Sequence, residues 1–405
     1  MSQASDLPSD LTGRKVALFA RIFDRGDGRL LKQRAALAAA GAQVASFAMV
    51  DHDRSAPDVT TPDWRARRSG RLLSGGVFAA ALARGARWSD ARRTAAQWFE
   101  YRAQIRAAAD AVAAWRPDVI VCSDPETLPA AARAKTLSGA RLIYDAHEFH
   151  EEEVQGDPAR AAWVRRIEAG AAPALDGFVT VNAGIAGLYA ERRPDFPRAV
   201  LVHNAADQAT PPVYDGRLHR AAGLADDVRI LLFQGGLAPM RGLEALVEAG
   251  AGLPAGWALV LMGSGRLEAR LREQADPDRV RFVPPAPFAE LPSWTAGAAL
   301  GALLYEDLSL NQRHCTPNKL WEYPAAGVPM LATDLPEIRR LAQPYGVAFL
   351  TPSGAAPDVL SARVAALTED DMALARAGAA RFTAAHSWQA NAAAFVAEVA
   401  RLTAL

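Results

Sequence analysis

The stretch RILLFQGGLAPMRGLEALVEA (229–249) combines an apolar run ending in glutamine, a loop opened by two glycines, and an Ala/Leu/Glu segment with helical spacing. A strand, a tight turn and a helix follow from that order. A second apolar run, ALVLMG (258–263), comes after the helix, so the unit predicts two parallel strands joined by a crossover. Outward from it, RVRFV (279–283), ALGALLY (299–305), PMLATD (329–334) and VAFLTP (347–352) repeat the pattern toward the C-terminus. Toward the N-terminus it recurs at VALFA (16–20), VASFAMV (44–50), DVIVCSD (118–124), RLIYDAH (141–147), GFVTV (177–181) and AVLVHN (199–204).

Two sets of strands imply an α/β chain with two doubly wound, Rossmann-like domains. The weakly patterned, Pro-containing stretch from Ala205 to Asp227 separates them. The expected organisation is a first domain over 13–205, a linker over 206–227, a second domain over 228–384, and a helix over 385–405 packing back toward the first domain. Phe395, Val396, Val399 and Leu402 give that helix an apolar stripe. Ligands of such sheets sit beyond the C-terminal strand ends, which places the expected site in a cleft between domains.

At 405 residues the chain suits two domains, and 50% hydrophobic with 22% charged residues excludes a disordered one. Forty-five basic and forty-five acidic residues leave no overall field for nucleic acid, and no nucleic-acid module is present. Cys122 and Cys315 stand far apart, which excludes a disulfide framework or a zinc spacing. The N-terminal MSQASDLPSDLTGRK lacks a signal peptide's apolar core, and no apolar run reaches the roughly 18 residues of a membrane span. A cytoplasmic location is expected, with no metal and no tightly bound cofactor.

The glycine loop is the first candidate ligand site. Gly235 and Gly236 let the backbone approach a ligand closely, while Arg241 and the helix N-terminus near Gly242 supply positive charge, which together suit a diphosphate. A plain turn with a surface arginine is the alternative. In HCTPNKLWEYPAAGVP (314–329), Thr316 can cap a helix, Pro317 suits its first position and Gly327 its end. Asn318 and Lys319 then fall in the first turn, where a lysine opposes the helix dipole unless an anion is near. Glu322, one turn on, can hold a ribose diol, or instead pair with Lys319 on the helix surface. Gly263 and Gly265 form a third strand–glycine–helix junction, and backbone groups near Val283 and Pro284 can carry a nucleobase, with a prolyl turn before a helix as the equal alternative.

These residues as a group resemble the family 4 glycosyltransferases of the two-Rossmann-domain (GT-B) architecture, over nearly the whole chain. TPNKLWEYPAAGVPMLATDLPEIRRL (316–341) carries most of the likeness, with FQGGLAPMRGLEALVEA, VLMGSGRLEARL, DVIVCSDPETLPAA (118–131) and RLIYDAHEF (141–149) in support. The resemblance implies sugar transfer from a nucleotide-diphosphate sugar, with retention of configuration and without a metal ion. It assigns the ribose to Glu322 and the leaving diphosphate to Arg241 and Lys319. It places His147 beside the transferred sugar or the acceptor, with Asp124 and Glu148 on the same side. It also puts the acceptor-facing loop at RIFDRGDG (21–28), with Asp24, Arg25 and Gly26 as contacts. The donor's UDP, GDP or dTDP type, and the sugar or lipid-linked acceptor, stay open. Two departures stand out. His314 occupies the place of the family's first glutamate, and the first phosphate loop has Gly236 and then Arg241 where many members have an arginine followed several residues later by a lysine, so one charge is missing.

HEFHE (147–151) is one residue short of the zinc spacing, so a metal reading of His147 is set aside. Residues 64–106 interleave arginines with tryptophans and leucines, which predicts contact with an anionic membrane surface or a solvated helical insertion. The competing functions are a nucleotide-sugar epimerase and a catalytically silent scaffold of the same architecture.

Overall fold

The computed structural model describes residues 10–23, 28–50, 58–63, 88–153, 156–207 and 210–404, with backbone alone over 88–97. Asp24, Arg25 and Gly26, and most of the arginine-rich segment, lie outside the described residues. The chain divides into two compact units. One holds the residues up to Thr180 with Leu188–Val202 and Ala392–Leu405; the other holds Val181–Gly187 and His203–Asn391.

The first unit is built on a seven-stranded sheet: β1 (Lys15–Ala20), β2 (Gln43–Ala48), β3 (Val59–Thr60), β4 (Val119–Ser123), β5 (Arg141–Ala146), β6 (Gly177–Thr180) and β7 (Ala199–Leu201). Their order is β3-β2-β1-β4-β5-β6-β7, all parallel. The twelve strands expected from the sequence are present. The two-residue β3 is the addition, too short for any periodicity to announce it.

The second unit's sheet comprises β8 (Arg229–Gln234), β9 (Trp257–Met262), β10 (Val280–Val283), β11 (Leu300–Leu303), β12 (Met330–Thr333) and β13 (Ala348–Thr351). Its order, β10-β9-β8-β11-β12-β13, reverses direction between β8 and β11, as the first sheet does between β1 and β4. Ligands of such sheets collect at those reversals. Along β8, Ile230 and Leu232 enter one core with Trp321 and Tyr323, while Leu231 and Phe233 enter the other with Leu246 and Leu259. Both faces of the sheet are covered, which is why its strands read as unbroken apolar runs.

The stretch expected as a linker contains a helix, Arg217–Ala222, whose Leu218 and Ala222 join the second unit's core. The last helix, Trp388–Thr403, buries Phe395, Val396, Val399 and Leu402. A helix over Trp88–Ala114 contains the described end of the arginine-rich segment; Tyr101 there donates to the Glu126 carbonyl at 3.0 Å, and Arg102 and Arg106 are exposed. Among the described residues no helix is long and apolar enough to cross a membrane.

Candidate active site

In the second unit the loop after β8 lies against the end of β11, at the reversal of the sheet. Glu306 N–H donates to the Met240 carbonyl at 3.3 Å, and Gly242 sits so close to Leu304 that a Cβ would come within 2.8 Å of its carbonyl oxygen. Met240 adopts φ 67°, a conformation that a non-glycine residue holds at a cost. Gly235 has φ 114°, and Gly263 and Gly265 are small for a packing reason: a Cβ on them would meet Gly235 O at 1.9 Å and Leu237 O at 2.4 Å. The second glycine pair therefore supports the first loop from beneath, whatever else it touches.

Lys319 begins the helix Lys319–Ala325 and is buried, with 6% exposure. Its Nζ lies 4.8 Å from the ring centre of Phe233 and 5.5 Å from that of Tyr305. It makes no salt bridge among the described residues. Burial, and next the nearby Arg241 charge, lower its pKa to about 8, with Glu322 and Cys315 acting the other way. A Cβ on Gly235 would stand 3.4 Å from that Nζ, so the ammonium touches the glycine loop. Arg241 donates to the Gly236 carbonyl at 2.7 Å and reaches over Tyr305, also without a carboxylate partner among the described residues. Two cations thus converge on one loop with no protein anion between them.

Glu322 is placed by a buried relay. Gln234, the last residue of β8, donates from Nε2 to Glu322 Oε2 at 2.8 Å, and its Oε1 lies 2.7 Å from Thr295 Oγ1. Gln234 and Thr295 are both buried. The alternative reading, a surface pair of Lys319 with Glu322, is not formed among the described residues, and Gln234 donates to the carboxylate.

Thr316 does not cap the helix. Asn318 is the N-cap, without a side-chain bond, and Pro317 stands one residue before it, its carbonyl accepting from Leu320 N–H at 2.9 Å. Thr316 Oγ1 accepts from Asn182 Nδ2 at 3.0 Å, and the same amide donates to the His314 carbonyl at 2.8 Å. Asn182 Oδ1 in turn accepts from Ile185 N–H, so one buried side chain ties residues 314–316 to the helix Ala183–Arg192. The His314 ring packs on Gly184, where a Cβ would fall 2.3 Å from Nδ1. Gly327, with φ 76°, follows the end of the helix Lys319–Ala325 as its sequence position suggested. Val283 is buried and its carbonyl accepts from Gly263 N–H at 3.0 Å, while Pro284 is exposed.

In the first unit, Asp124 follows β4, which pairs with β1. It holds φ 69° and accepts from Arg21 N–H at 3.2 Å. Burial raises its pKa. His147 follows β5, with Nε2 3.3 Å from Asp145 Oδ2. The Glu148 carbonyl accepts from Tyr189 Oη at 3.2 Å, which fixes the backbone next to His147. Asp124 and His147 therefore share the C-terminal end of this sheet. Among the described residues no group of His, Cys, Asp and Glu could hold a metal.

Two family profiles match the chain: the glycosyl transferase 4-like domain over residues 29–205 and the glycosyl transferases group 1 over residues 228–370. The chain belongs to the family 4-like glycosyltransferases. No curated protein sequence matches it. Solved structures show the GT-B fold of this glycosyltransferase. Sucrose-phosphate synthase from Thermosynechococcus elongatus superposes with a TM-score of 0.69 at 18% identity, covering 94% of this chain and 96% of that one. HepE from Anabaena, in complex with UDP-glucose, gives 0.70 at 14% identity, covering 96% and 99%. WaaG, a glycosyltransferase involved in lipopolysaccharide biosynthesis, gives 0.62 at 14%, covering 95% and 98%.

The residues the sequence did not point to are those that hold others. Gln234 was visible as a polar end to an apolar strand, but its partners Glu322 and Thr295 are 88 and 61 residues away. Asn182 was visible only as a residue able to cap the glycosyltransferase's helix at Ala183.

Proposed function

We propose that the glycosyltransferase takes its sugar from a nucleoside diphosphate sugar bound in the second unit. The observation that carries this is Lys319: a buried ammonium beside a diglycine loop and Arg241, with no carboxylate in salt-bridge range among the described residues. Buried charge without a counter-ion is costly, and a diphosphate would relieve it. Glu322, steadied by Gln234, would take the ribose hydroxyls, and backbone at Val283 and Pro284 would face the base. During transfer Lys319 and Arg241 would neutralise the charge growing on the departing diphosphate, a role that needs no metal ion. Retention of configuration follows from the family likeness. Asp124, His147 and Glu148, with the loop at Asp24, Arg25 and Gly26, would face the sugar acceptor.

Calorimetric titration with UDP, GDP, dTDP and ADP tests this reading. One nucleotide binding well, and on the order of tenfold or more weaker in Glu322→Ala and Arg241→Ala, supports it; equal binding by all variants, or none by the wild type, refutes it. HepE's complex with UDP-glucose makes UDP the first ligand to try.

The arginine-rich segment 64–106 supports a second, narrower proposal: a cytoplasmic enzyme that rests on an anionic membrane face and receives a lipid-linked acceptor in glycoconjugate synthesis. Failure to sediment with anionic liposomes at low salt would end it.

A further inference from the structure

Asp145, in β5, is fully buried and receives four hydrogen bonds from three side chains. Arg29 donates from Nε to Oδ2 at 2.9 Å and from Nη2 to Oδ1 at 2.6 Å. Gln33 Nε2 donates to Oδ2 at 2.6 Å, and His147 Nε2 lies 3.3 Å from the same oxygen. Arg29 and Gln33 stand one turn apart on the helix Gly28–Ala39. Arg29 Nη1 also donates to the Val202 carbonyl at 2.6 Å, so its guanidinium is held on two sides.

Burial opposes ionisation of Asp145, but the Arg29 guanidinium, together with the hydrogen bonds from Arg29 and His147, outweighs it and holds the carboxyl well below the usual carboxylate range. An ionised carboxylate can only accept. The facing nitrogen of His147 must therefore carry a proton. Gln33 obeys the same constraint: its Oε1 is buried without a partner among the described residues, yet turning the amide over would aim that oxygen at the carboxylate. The charge on Asp145 thus orients every donor around it.

We propose that Asp145, with Arg29 and Gln33, is a positioning residue that holds His147 as its Nε2–H tautomer and so leaves Nδ1 as the acceptor of a hydrogen bond from a sugar hydroxyl. The identity of that hydroxyl rests on the glycosyl-transfer reading; the tautomer does not. His147 keeps 21% side-chain exposure, unlike Asp145, Arg29 and Gln33 behind it. The arrangement makes His147 an orienting acceptor, able to hold a hydroxyl without itself being the buried charge.

Full-length protein labelled with nitrogen-15 at histidine, ligand-free at pH 8, gives the direct test, with His147→Gln to assign the signal. The expected spectrum shows His147 protonated at Nε2 alone, with a proton that exchanges slowly enough to be seen; protonation at Nδ1 overturns the inference. The double variant Arg29→Met/Asp145→Leu replaces the ion pair by apolar groups of similar size, an exchange that buried pairs often tolerate. It should show a mixture of tautomers. With UDP-glucose as donor, its kcat should fall on the order of tenfold or more at unchanged donor KM; an unchanged kcat contradicts the positioning role. Should the double variant not fold, His147→Asn and His147→Gln decide by rank. The asparagine oxygen can reach the place of Nδ1 and should keep several-fold more activity, and the reverse order overturns the proposal. If no nucleotide sugar binds or turns over, the function fails while the tautomer still decides this inference.

Discussion

If Lys319 holds the donor diphosphate as proposed, its lowered pKa makes donor binding pH-dependent between pH 7 and 9. A diphosphate needs the protonated lysine, and with a pKa of about 8 the side chain is about nine-tenths charged at pH 7 and about one-tenth at pH 9. The nucleotide's terminal phosphate completes its ionisation near pH 6, so the ligand's charge barely changes above 7. In the complex the diphosphate raises the lysine's pKa again, and binding above pH 8 must draw in a proton. The apparent Kd for UDP should therefore rise about tenfold between pH 7 and pH 9. Calorimetry in two buffers of different ionisation enthalpy should report uptake of about half a proton at pH 8 and close to one at pH 9. Lys319→Met should bind weakly and lose the pH dependence. A wild-type Kd constant within about twofold over that range, with no proton uptake, would refute the reasoning, because it would mean that the ligand does not meet this ammonium.

The same lysine should weaken the empty protein. Its folded pKa lies below the ordinary 10.5, so the unfolded chain holds the proton more firmly, and stability should rise as pH climbs from about 8 toward 10.5. The cost below pH 8 is about 3 kcal/mol, so Lys319→Met should melt higher than the wild type at pH 7 while losing nucleotide, and a lower melting point would count against the burial argument. Gly263→Ala places a methyl 1.9 Å from a backbone oxygen that no rotamer can move. It should cost about 2 kcal/mol or more in denaturant melts and reduce nucleotide affinity at the same time. Gln234→Leu removes the donor to Glu322 and should weaken UDP about tenfold, roughly 1.4 kcal/mol; unaltered affinity would show that Glu322 needs no support. His203 donates from Nδ1 to the Val181 carbonyl at 2.7 Å and stacks near Trp321, and burial lowers its pKa to about 4. Its folded value lies below the unfolded 6.5, so its contribution is present above pH 6.5 and lost as pH falls through 4. Acid melts should flatten by about 3 kcal/mol over that window in His203→Asn.

The fold was legible because both sheets are covered on two faces. Strands such as RILLFQ and VIVCS then become apolar throughout, and the helices between them have their own period. Charge placement was less legible. The sequence shows Lys319 and Glu322 three residues apart, which on an exposed helix would pair them. Tertiary structure decides otherwise: the lysine turns under Phe233 and Tyr305, and Gln234 claims the glutamate. Thr316 was misread as a cap for a similar reason. A threonine before Pro-Asn-Lys satisfies every local rule for a helix start, yet its hydroxyl answers to Asn182, which lies 134 residues earlier. Local rules state which bonds a side chain can make, and long-range packing selects among them.

How the charges are distributed argues for function more strongly than any one residue. In the first unit the buried ions are neutralised within the protein: Arg29 with Asp145, Arg193 with Glu151 and Glu168. At the reversal of the second sheet the balance is withheld, since Lys319 and Arg241 approach one loop without an acidic partner among the described residues. A protein selected for stability alone would have placed a carboxylate there or replaced the lysine by an apolar residue. Of the four non-glycine residues with positive φ among the described residues, Asp58 and Arg116 lie away from the sheet reversals and two lie at them. Met240 lies in the loop that carries Arg241, and Asp124 lies at the matching reversal of the first sheet, each with φ near 70°. The uncompensated charge at the strand ends where doubly wound sheets take their ligands is a cost in the empty protein that a bound anion can offset. The higher melting point expected of Lys319→Met is the measurable form of that argument: a residue whose burial weakens the empty fold should be one that strengthens donor binding.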